Sequence, residues 1–246
     1  MTLVIPARFG SSRFPGKPLT LVAGKPLIQH VYERAAAASH VDRALVATDD
    51  DRIRDTVEGF GGQVVMTGPS ARTGTDRVAE VSRHVPGDIF VNLQGDEIPL
   101  NPNLISDLIS AFVASGVGMG TLKRRLGFDD DLQNPSIVKV VTNPDGDALY
   151  FSRAPIPCDR AAGQGRVVEG LHFVHLGIYI YTRETLVRLG ALSTGRLEDV
   201  ERLEQLRALE HGIPIKVWET THPSLRIDRQ EDVPEAEAML QGLVRS

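Results

Sequence analysis

Between Ile5 and Leu19 the sequence runs Ile5-Pro6-Ala7-Arg8-Phe9-Gly10-Ser11-Ser12-Arg13-Phe14-Pro15-Gly16-Lys17-Pro18-Leu19, which places three cations and two glycines directly after a short apolar run. That combination suits a phosphate chain. Backbone N–H groups of a Gly/Ser loop can point at anionic oxygens, while Arg13 offers a planar fork and Lys17 a point charge. Composition alone allows an ordinary solvated basic loop equally well. The spacing contains neither Gly-x-Gly-x-x-Gly nor a Gly-Lys-Ser/Thr ending, so hydride transfer and P-loop ATP hydrolysis lose their main support.

A loop of this kind needs a strand to hold it. Short apolar runs alternate with longer helical patterns through the first hundred residues, the signal for strand-helix units on a parallel sheet. Strands are predicted over residues 2–5, 44–47, 63–66 and 89–93, and helices over 27–38, 51–60 and 76–84, each helix starting near Pro, Asp or Thr. In a doubly wound sheet, ligands bind beyond the carboxyl ends of the strands. The loops after Ile5, Ala47, Met66 and Leu93 should therefore converge on one crevice.

After a helix predicted over 103–114 the rhythm changes. Residues 118–125, 136–142, 148–151 and 177–182 read as strands with few helices between them, and Asn143-Pro144-Asp145-Gly146 supplies turn chemistry. The polar, glycine-containing stretch 161–170 reads as a mobile loop. Helices are predicted over 198–210 and 231–243, with a strand over 213–218 between them. There is no internal repeat and no linker of disordered composition. The expectation is one mixed α/β unit over residues 1–246 whose second part is a smaller lobe.

With 246 residues, 41% hydrophobic and 24% charged, and with 23 Gly and 15 Pro, the chain has ordinary globular composition, which excludes a disordered or collagen-like protein. Lys plus Arg number 27 against 32 Asp plus Glu, a formal net charge of −5, so no global basic field attracts nucleic acid or anionic lipid. Only 5% of residues are aromatic, which further weakens a nucleic-acid reading. Any polyanion must be held by local basic groups. The single cysteine, Cys158, has no internal disulfide partner, and the N-terminus enters Leu3-Val4-Ile5 without the basic region, long apolar stretch and cleavage site of a secretory signal. A cytoplasmic location is expected. No segment approaches the roughly 18 uninterrupted apolar residues of a membrane span, so no membrane partner is expected.

At the first loop the sequence resembles the sugar nucleotidyltransferases, and within them the 3-deoxy-manno-octulosonate cytidylyltransferases. Five further stretches look like that family's motifs in its order: Arg72-Thr73-Gly74-Thr75-Asp76-Arg77, Asn92-Leu93-Gln94-Gly95-Asp96-Glu97, Tyr150-Phe151-Ser152-Arg153-Ala154-Pro155-Ile156-Pro157, His175-Leu176-Gly177-Ile178-Tyr179 and Leu203-Glu204-Gln205-Leu206-Arg207. The resemblance covers nearly the whole chain. It implies a Rossmann-like nucleotidyltransferase fold, a mixed and mostly parallel sheet flanked by helices. Residues 1–115 would form the nucleotide-binding half and 116–246 the acceptor-binding and dimerisation half. The implied reaction is transfer of CMP from CTP to the anomeric hydroxyl of 3-deoxy-manno-octulosonate (Kdo), an eight-carbon sugar acid, releasing pyrophosphate. The implied enzyme is a Mg²⁺-dependent homodimer that supplies CMP-Kdo for lipopolysaccharide synthesis.

CTP and a sugar acid are both anions, so cations must surround the phosphates and stabilise the charge that grows as the α-phosphorus is attacked. Arg8, Arg13 and Lys17 are the candidates for the triphosphate, and Arg8, Lys17 and Asp96 for catalysis. Asp96 follows the apolar run 89–93, and a hard Mg²⁺ takes one or two carboxylates plus substrate oxygens and water. Without the resemblance, an Asp there reads first as a cap or turn residue. The family's second metal-binding aspartate matches Asp228. Its context, Arg226-Ile227-Asp228-Arg229, departs from the small Gly-Val-Asp-Thr-like surroundings of the family. The flanking arginines can pair with the carboxylate or with phosphate oxygens, and the alternative for Asp228 is an N-cap of the helix over 231–243.

For the nucleotide, the resemblance points to backbone groups near Ala7 and to Thr73, Gly74, Arg77 and Gln94. Thr73-Gly74-Thr75-Asp76 also reads as a helix entry with Thr75 as cap. For the sugar acid, Arg153 is a partner for a carboxylate or phosphate, and Gln94, His175, Tyr179, Glu204 and Gln205 offer hydrogen bonds to hydroxyls. His175 as a satisfied structural group and Tyr179 as a core residue are the plainer alternatives. Glu204 and Gln205 flank an apolar stripe of Val200, Leu203, Leu206 and Leu209 on the helix predicted over 198–210. No histidine or cysteine nucleophile is required, because an anomeric hydroxyl ionised by a metal can attack directly, and in-line transfer without a covalent enzyme intermediate is expected. Two other readings remain. One is CMP transfer to a different acid, such as an 8-amino Kdo analogue, a nonulosonic acid or a phosphonate. The other is a nucleotide-binding protein without turnover, disfavoured because Arg8, Arg13, Lys17, Asp96 and Asp228 are all present.

Overall fold

The apolar run at the N-terminus forms β1 (Thr2–Pro6), in which Leu3, Val4 and Ile5 are fully buried, the pattern of a parallel strand covered on both faces. The computed structural model describes residues 1–10, 14–99, 101–127, 130–160 and 166–244, in two compact units, Met1–Ser110 with His222–Ser246 and Ala111–Thr221.

In the first unit a short 3-10 turn, Lys17–Leu19, leads into a hairpin of β2 (Leu21–Val22) and β3 (Lys25–Pro26), then α1 (Leu27–Ala36). Next come β4 (Arg43–Thr48), α2 (Asp51–Gly59), β5 (Val64–Met66), α3 (Gly74–Ser82), β6 (Ile89–Leu93), β7 (Glu97–Pro99) and α4 (Asn103–Ser115). The strands β6, β1, β4 and β5 lie side by side in that order, and every pairing is parallel. Their carboxyl ends therefore share one edge, as the strand-helix rhythm requires. The helices cover the sheet with narrow apolar stripes: Leu27, Ile28, Val31 and Ala35 of α1 and Ile53 and Val57 of α2 are buried.

The second unit is built on β8 (Met119–Arg125), β9 (Lys139–Thr142), β10 (Ala148–Ser152) and β11 (Phe173–Thr182), followed by α5 (Arg183–Ala191), α6 (Arg196–Glu201), α7 (Leu206–Glu210) and β12 (Lys216–Glu219). β8 pairs parallel with β12 and antiparallel with β11, β11 pairs antiparallel with β9, and β9 with β10. The β9–β10 turn uses the expected residues: Gly146, with φ +85°, donates to the Asn143 carbonyl at 3.0 Å, and the Asn143 side chain accepts from Asp147 at 2.8 Å.

The chain then returns to the first unit. β13 (Ser224–Arg226) pairs antiparallel with β7, Leu225 opposite Ile98, and a 3-10 turn at Gln230–Asp232 enters α8 (Val233–Val244). The final segment from His222 thus packs with the first compact unit.

Four sequence expectations differ from the structure. The helix over 198–210 is two short helices, because Arg202 adopts a left-handed conformation, φ +55°. Val200 is consequently exposed, and the expected stripe is not continuous. α3 is capped by Thr73 rather than Thr75: the Thr73 hydroxyl accepts from the Asp76 N–H and the Asp76 carboxylate from the Thr73 N–H, a reciprocal capping box. β9 begins at Lys139 instead of 136, because the Lys139 ammonium donates to the Asn134 and Ile137 carbonyls and folds the preceding residues into a turn. α5 was not anticipated, since only Leu186 and Leu189 mark its buried side. In the stretch 161–170 read as a mobile loop, residues 161–165 lie outside the described residues. No helix among the described residues is long and apolar enough to cross a membrane.

Candidate active site

The first loop leaves β1 at its carboxyl end. The Ala7 N–H donates to the Ala47 carbonyl at 2.9 Å, extending the β1–β4 register one step, and Arg8 then turns outward, exposed and paired with no carboxylate among the described residues. Phe9 lies beneath Arg52, whose guanidinium carbon is 3.3 Å from the ring centroid. Gly16 closes the loop by donating to the Phe9 carbonyl at 3.0 Å; at φ +73° a Cβ there would also meet the Phe9 ring at 3.2 Å. Lys17 follows immediately. Arg13 lies outside the described residues.

Lys17 is the meeting point of three chain segments. Its Nζ donates to Asp96 Oδ2 at 2.8 Å and to the Ile227 carbonyl at 3.0 Å, and it stands 3.9 Å from Asp228 Oδ1. Asp96 is delivered by the turn after β6, closed by the Glu97 N–H on the Gln94 carbonyl at 3.1 Å. Asp228 is delivered by the segment after β13, which is tied to that turn by the Ile227 N–H on the Asp96 carbonyl at 2.9 Å. Asp228 does not cap the last helix. Its N–H and that of Arg229 both donate to Asp232 Oδ2 at 2.7 Å, so Asp232 orders this turn. Arg226 Nε lies 3.3 Å from Asp228 Oδ1. Burial opposes ionisation of Asp96, but the charges of Arg226 and Lys17 and the Lys17 hydrogen bond outweigh it, holding the carboxyl below its ordinary range.

The donor set fits a hard divalent cation. Asp228 Oδ1 is buried and has no hydrogen-bond partner, its two ion pairs being too long or misaligned, so a lone pair is free beside a second carboxylate. No cluster of three or more His, Cys, Asp or Glu suited to a metal occurs among the described residues. A magnesium ion here would take two carboxylates from the protein and complete its shell with substrate oxygens and water.

The loop before α3 meets the turn after β6. A Cβ on Gly74 would lie 3.2 Å from both Gln94 Nε2 and Pro6 Cγ, so glycine allows the helix N-terminus to approach Gln94 closely. Thr73 spends its hydroxyl on the cap. Arg77 is buried, its guanidinium 3.2 Å from Asp49 and hydrogen-bonded to the Thr67 hydroxyl, which ties α3 to the loops after β4 and β5. The structure therefore gathers Ala7, Lys17, Gly74, Gln94, Asp96 and Asp228 in one unit and directs Arg77 inward.

The remaining candidates gather in the second unit. His175 is buried, its Nε2 3.0 Å from the Thr121 hydroxyl, and its ring meets Phe151 edge-on at 4.9 Å and Tyr179 at 5.3 Å. The Tyr179 hydroxyl donates to Gln205 Oε1 at 3.0 Å, while the buried Gln205 Nε2 has no partner. Glu204, beside it, is half-buried. Arg153 is not presented free to an anion: its guanidinium donates to the carbonyls of Glu201 at 2.8 Å, Pro135 at 2.8 Å and Arg202 at 3.3 Å. Sequence reasoning missed Glu201, whose carboxylate accepts from the Ser152 hydroxyl at 2.6 Å and the Arg153 N–H at 3.0 Å. No sequence signal reveals it, since the contact depends on the left-handed Arg202. Arg226 was visible, through its spacing from Asp228.

Comparison with known proteins adds to this geometry. The family profile described as Cytidylyltransferase matches residues 2–217. The 3-deoxy-manno-octulosonate cytidylyltransferase of Anaeromyxobacter dehalogenans is 51% identical over 242 residues, covering 98% of this chain and 97% of that protein. That of Trichlorobacter lovleyi is 49% identical over 250 residues, covering 97% and 98%. A solved structure of CMP:2-keto-3-deoxy-manno-octonic acid synthetase complexed with CTP superposes with a TM-score of 0.88 at 40% identity, covering 98% of each chain. An inositol-1-phosphate CTP transferase from T. maritima shares the fold, with a TM-score of 0.68 at 14% identity over 98% of this chain and 95% of that one. The mixed sheet with flanking helices is thus the nucleotidyltransferase fold.

Proposed function

The chain belongs to the cytidylyltransferase family, among the 3-deoxy-manno-octulosonate cytidylyltransferases, and from that membership we propose that it transfers CMP from CTP to the anomeric hydroxyl of Kdo, releasing pyrophosphate and giving CMP-Kdo. The observation that carries the site assignment is Lys17 held between Asp96 and Asp228 at the carboxyl edge of a parallel sheet. Arg8, Arg13 and Lys17 receive the triphosphate, with Lys17 offsetting charge that builds as the α-phosphorus is attacked. Asp96 and Asp228 hold Mg²⁺, which when bound screens the phosphate charge and favours ionisation of the attacking hydroxyl. Ala7, Thr73, Gly74 and Gln94 surround the nucleoside, and Arg77 acts by fixing the loops around it. Attack is in line, with no covalent enzyme intermediate, because the acceptor hydroxyl is itself the nucleophile.

His175, Tyr179, Glu204 and Gln205 of the second unit bind the sugar acid, and Arg153 shapes their surroundings through the carbonyls it holds. The unpartnered Gln205 Nε2 supports this assignment, since a buried donor without a partner costs stability unless a ligand satisfies it. Replacing Gln205 with leucine should raise KM for Kdo by about tenfold, the worth of one buried hydrogen bond, and leave KM for CTP within about twofold. Steady-state kinetics with each substrate varied in turn checks both.

The enzyme works as a cytoplasmic homodimer that feeds lipopolysaccharide synthesis; the dimer and the pathway rest on the family resemblance, and the compartment is supported by the lone cysteine. The deciding experiment mixes purified protein with CTP, Mg²⁺ and Kdo and measures pyrophosphate. Comparison of kcat/KM for Kdo, an 8-amino Kdo analogue, a nonulosonic acid and a phosphonate identifies the acceptor. Inactivity towards all four, with CTP still bound, would refute the assignment.

A further inference from the structure

Asp96 and Asp228 are held differently. Asp96 is fixed through its own carboxylate, which accepts from the Lys17 ammonium at 2.8 Å. Asp228 Oδ1 is buried and accepts no hydrogen bond, so the aim of this side chain depends on its backbone. Because peptides are planar, that aim is set by φ and ψ at Asp228, which is to say by the two peptide planes flanking its Cα. One atom binds both planes. The Asp228 N–H and the Arg229 N–H each donate to Asp232 Oδ2 at 2.7 Å, and the plane before Asp228 is held at its other end by Lys17 Nζ on the Ile227 carbonyl at 3.0 Å. Asp232 is itself anchored. It leads into α8, which buries Ala236 and Leu240 and whose Glu237 Oε1 accepts from the Ala23 N–H of the β2–β3 turn at 2.8 Å.

We propose that Asp232 is a positioning residue for Mg²⁺ binding: its carboxylate fixes the direction in which Asp228 presents its unpartnered oxygen, without itself touching metal or substrate. The inference rests on the reading of Asp96 and Asp228 as the metal ligands. Mg²⁺ demands near-octahedral directions from its oxygen ligands, so a carboxylate that swings with its backbone loses affinity for this ion. Bonds from two N–H groups to a charged oxygen are of the strong kind and hold direction better than a neutral turn would. Asp232 also has a plainer role, since it stands three residues after Arg229 and its carboxylate accepts from the Arg229 N–H as a capping residue does. Capping alone needs only that bond, and it leaves the second one, from the Asp228 N–H, unexplained.

The test measures CTP binding to the full chain by calorimetry, once with Mg²⁺ and once with EDTA, so that the ratio of the two Kd values reads the metal's share. In the parent, Mg²⁺ should tighten binding. Asp232→Ala should cut that ratio about tenfold, the lower end for loss of an outer-shell partner, and leave affinity in EDTA within about twofold of the parent. Asp228→Asn should cut it at least as far, and adding Asp232→Ala to that variant should change nothing further. Asp232→Asn, which keeps an acceptor oxygen, should recover most of the ratio. If Asp232→Ala keeps the parent's ratio, if the double variant falls below Asp228→Asn, or if asparagine restores nothing, the positioning role is overturned while the ligand assignment stands. If Mg²⁺ fails to tighten binding in the parent, or Asp228→Asn keeps the parent's ratio, the ligand assignment falls and this inference with it. A capping role alone would lower the Tm of Asp232→Ala, read by thermal melts, without moving the ratio.

Discussion

Replacing Lys17 with methionine should lower kcat/KM for CMP transfer by about 10²- to 10³-fold, the usual effect of removing one charge-stabilising donor from a site where negative charge develops. Methionine nearly matches the lysine stem, so packing against the first loop is kept and the loss is electrostatic. Arginine should not rescue, because a point donor placed between Asp96 and the Ile227 carbonyl has no room to become a planar fork. The same variant should alter the pH profile. Burial raises the Asp96 pKa, whereas Arg226 and Lys17 lower it, so removing Lys17 moves it upward. In the parent the carboxylate therefore contributes fully to stability above the ordinary carboxylate range, and that contribution fades only as pH falls below it. In the variant the acid limb of residual activity should lie at higher pH. Pyrophosphate release measured from acid to neutral pH reads both effects, and a variant within tenfold of the parent would remove Lys17 from the chemistry.

The importance of Lys17 follows from the charge arrangement of the whole chain. A molecule with a net charge of −5 offers a nucleotide triphosphate no general attraction, so binding has to come from a local concentration of cations at the carboxyl edge of β1 and β6. Three chain segments, ending at residues 17, 96 and 228, are needed to build it. The first two are close to strands whose apolar runs announce them, and the third comes from the far end of the sequence.

That distinction explains what could be read from sequence. The strands β1, β4 and β6 were legible because parallel strands buried on both faces read as continuous apolar runs, and β5, though only half-buried, because Val64-Val65-Met66 is also an apolar run; their common edge follows from the right-handed strand-helix rhythm. The pairing of β13 with β7 was not, because both strands are three residues long and their partnership spans more than a hundred residues. The split between α6 and α7 was hidden for another reason. Val200, Leu203, Leu206 and Leu209 have helical spacing, yet a left-handed arginine, Arg202, interrupts the helix without a glycine to mark it. Arg77 and Arg153 illustrate the limit for site residues: a motif names the arginine, but only the fold shows that each guanidinium is spent inside the protein.

The break at Arg202 is held by a buried ion pair, and this carries the largest expected effect on stability. Arg207 and Glu198 are both buried, with guanidinium-to-carboxylate distances of 2.8 and 2.6 Å in a two-pronged contact. Glu210 adds to the hairpin by accepting from the Leu197 N–H at 2.9 Å and the Glu198 N–H at 3.2 Å. Glu198→Ala leaves a guanidinium buried without its partner, which should cost about 3–5 kcal/mol and lower Tm by about ten degrees. Replacing both residues with methionine should recover most of that loss, since an apolar pair of similar volume avoids the desolvation that the charges require. Recovery stays incomplete because Glu198 also accepts from the Gly195 N–H at 3.3 Å. The turn between α6 and α7 places Glu201 against Arg153 and Gln205 against Tyr179, so the single variant should also raise KM for the sugar acid while leaving KM for CTP little changed. Thermal denaturation of the single and double variants, with kinetics on each, checks the argument; a single variant losing less than about 1 kcal/mol would mean that the pair is dispensable.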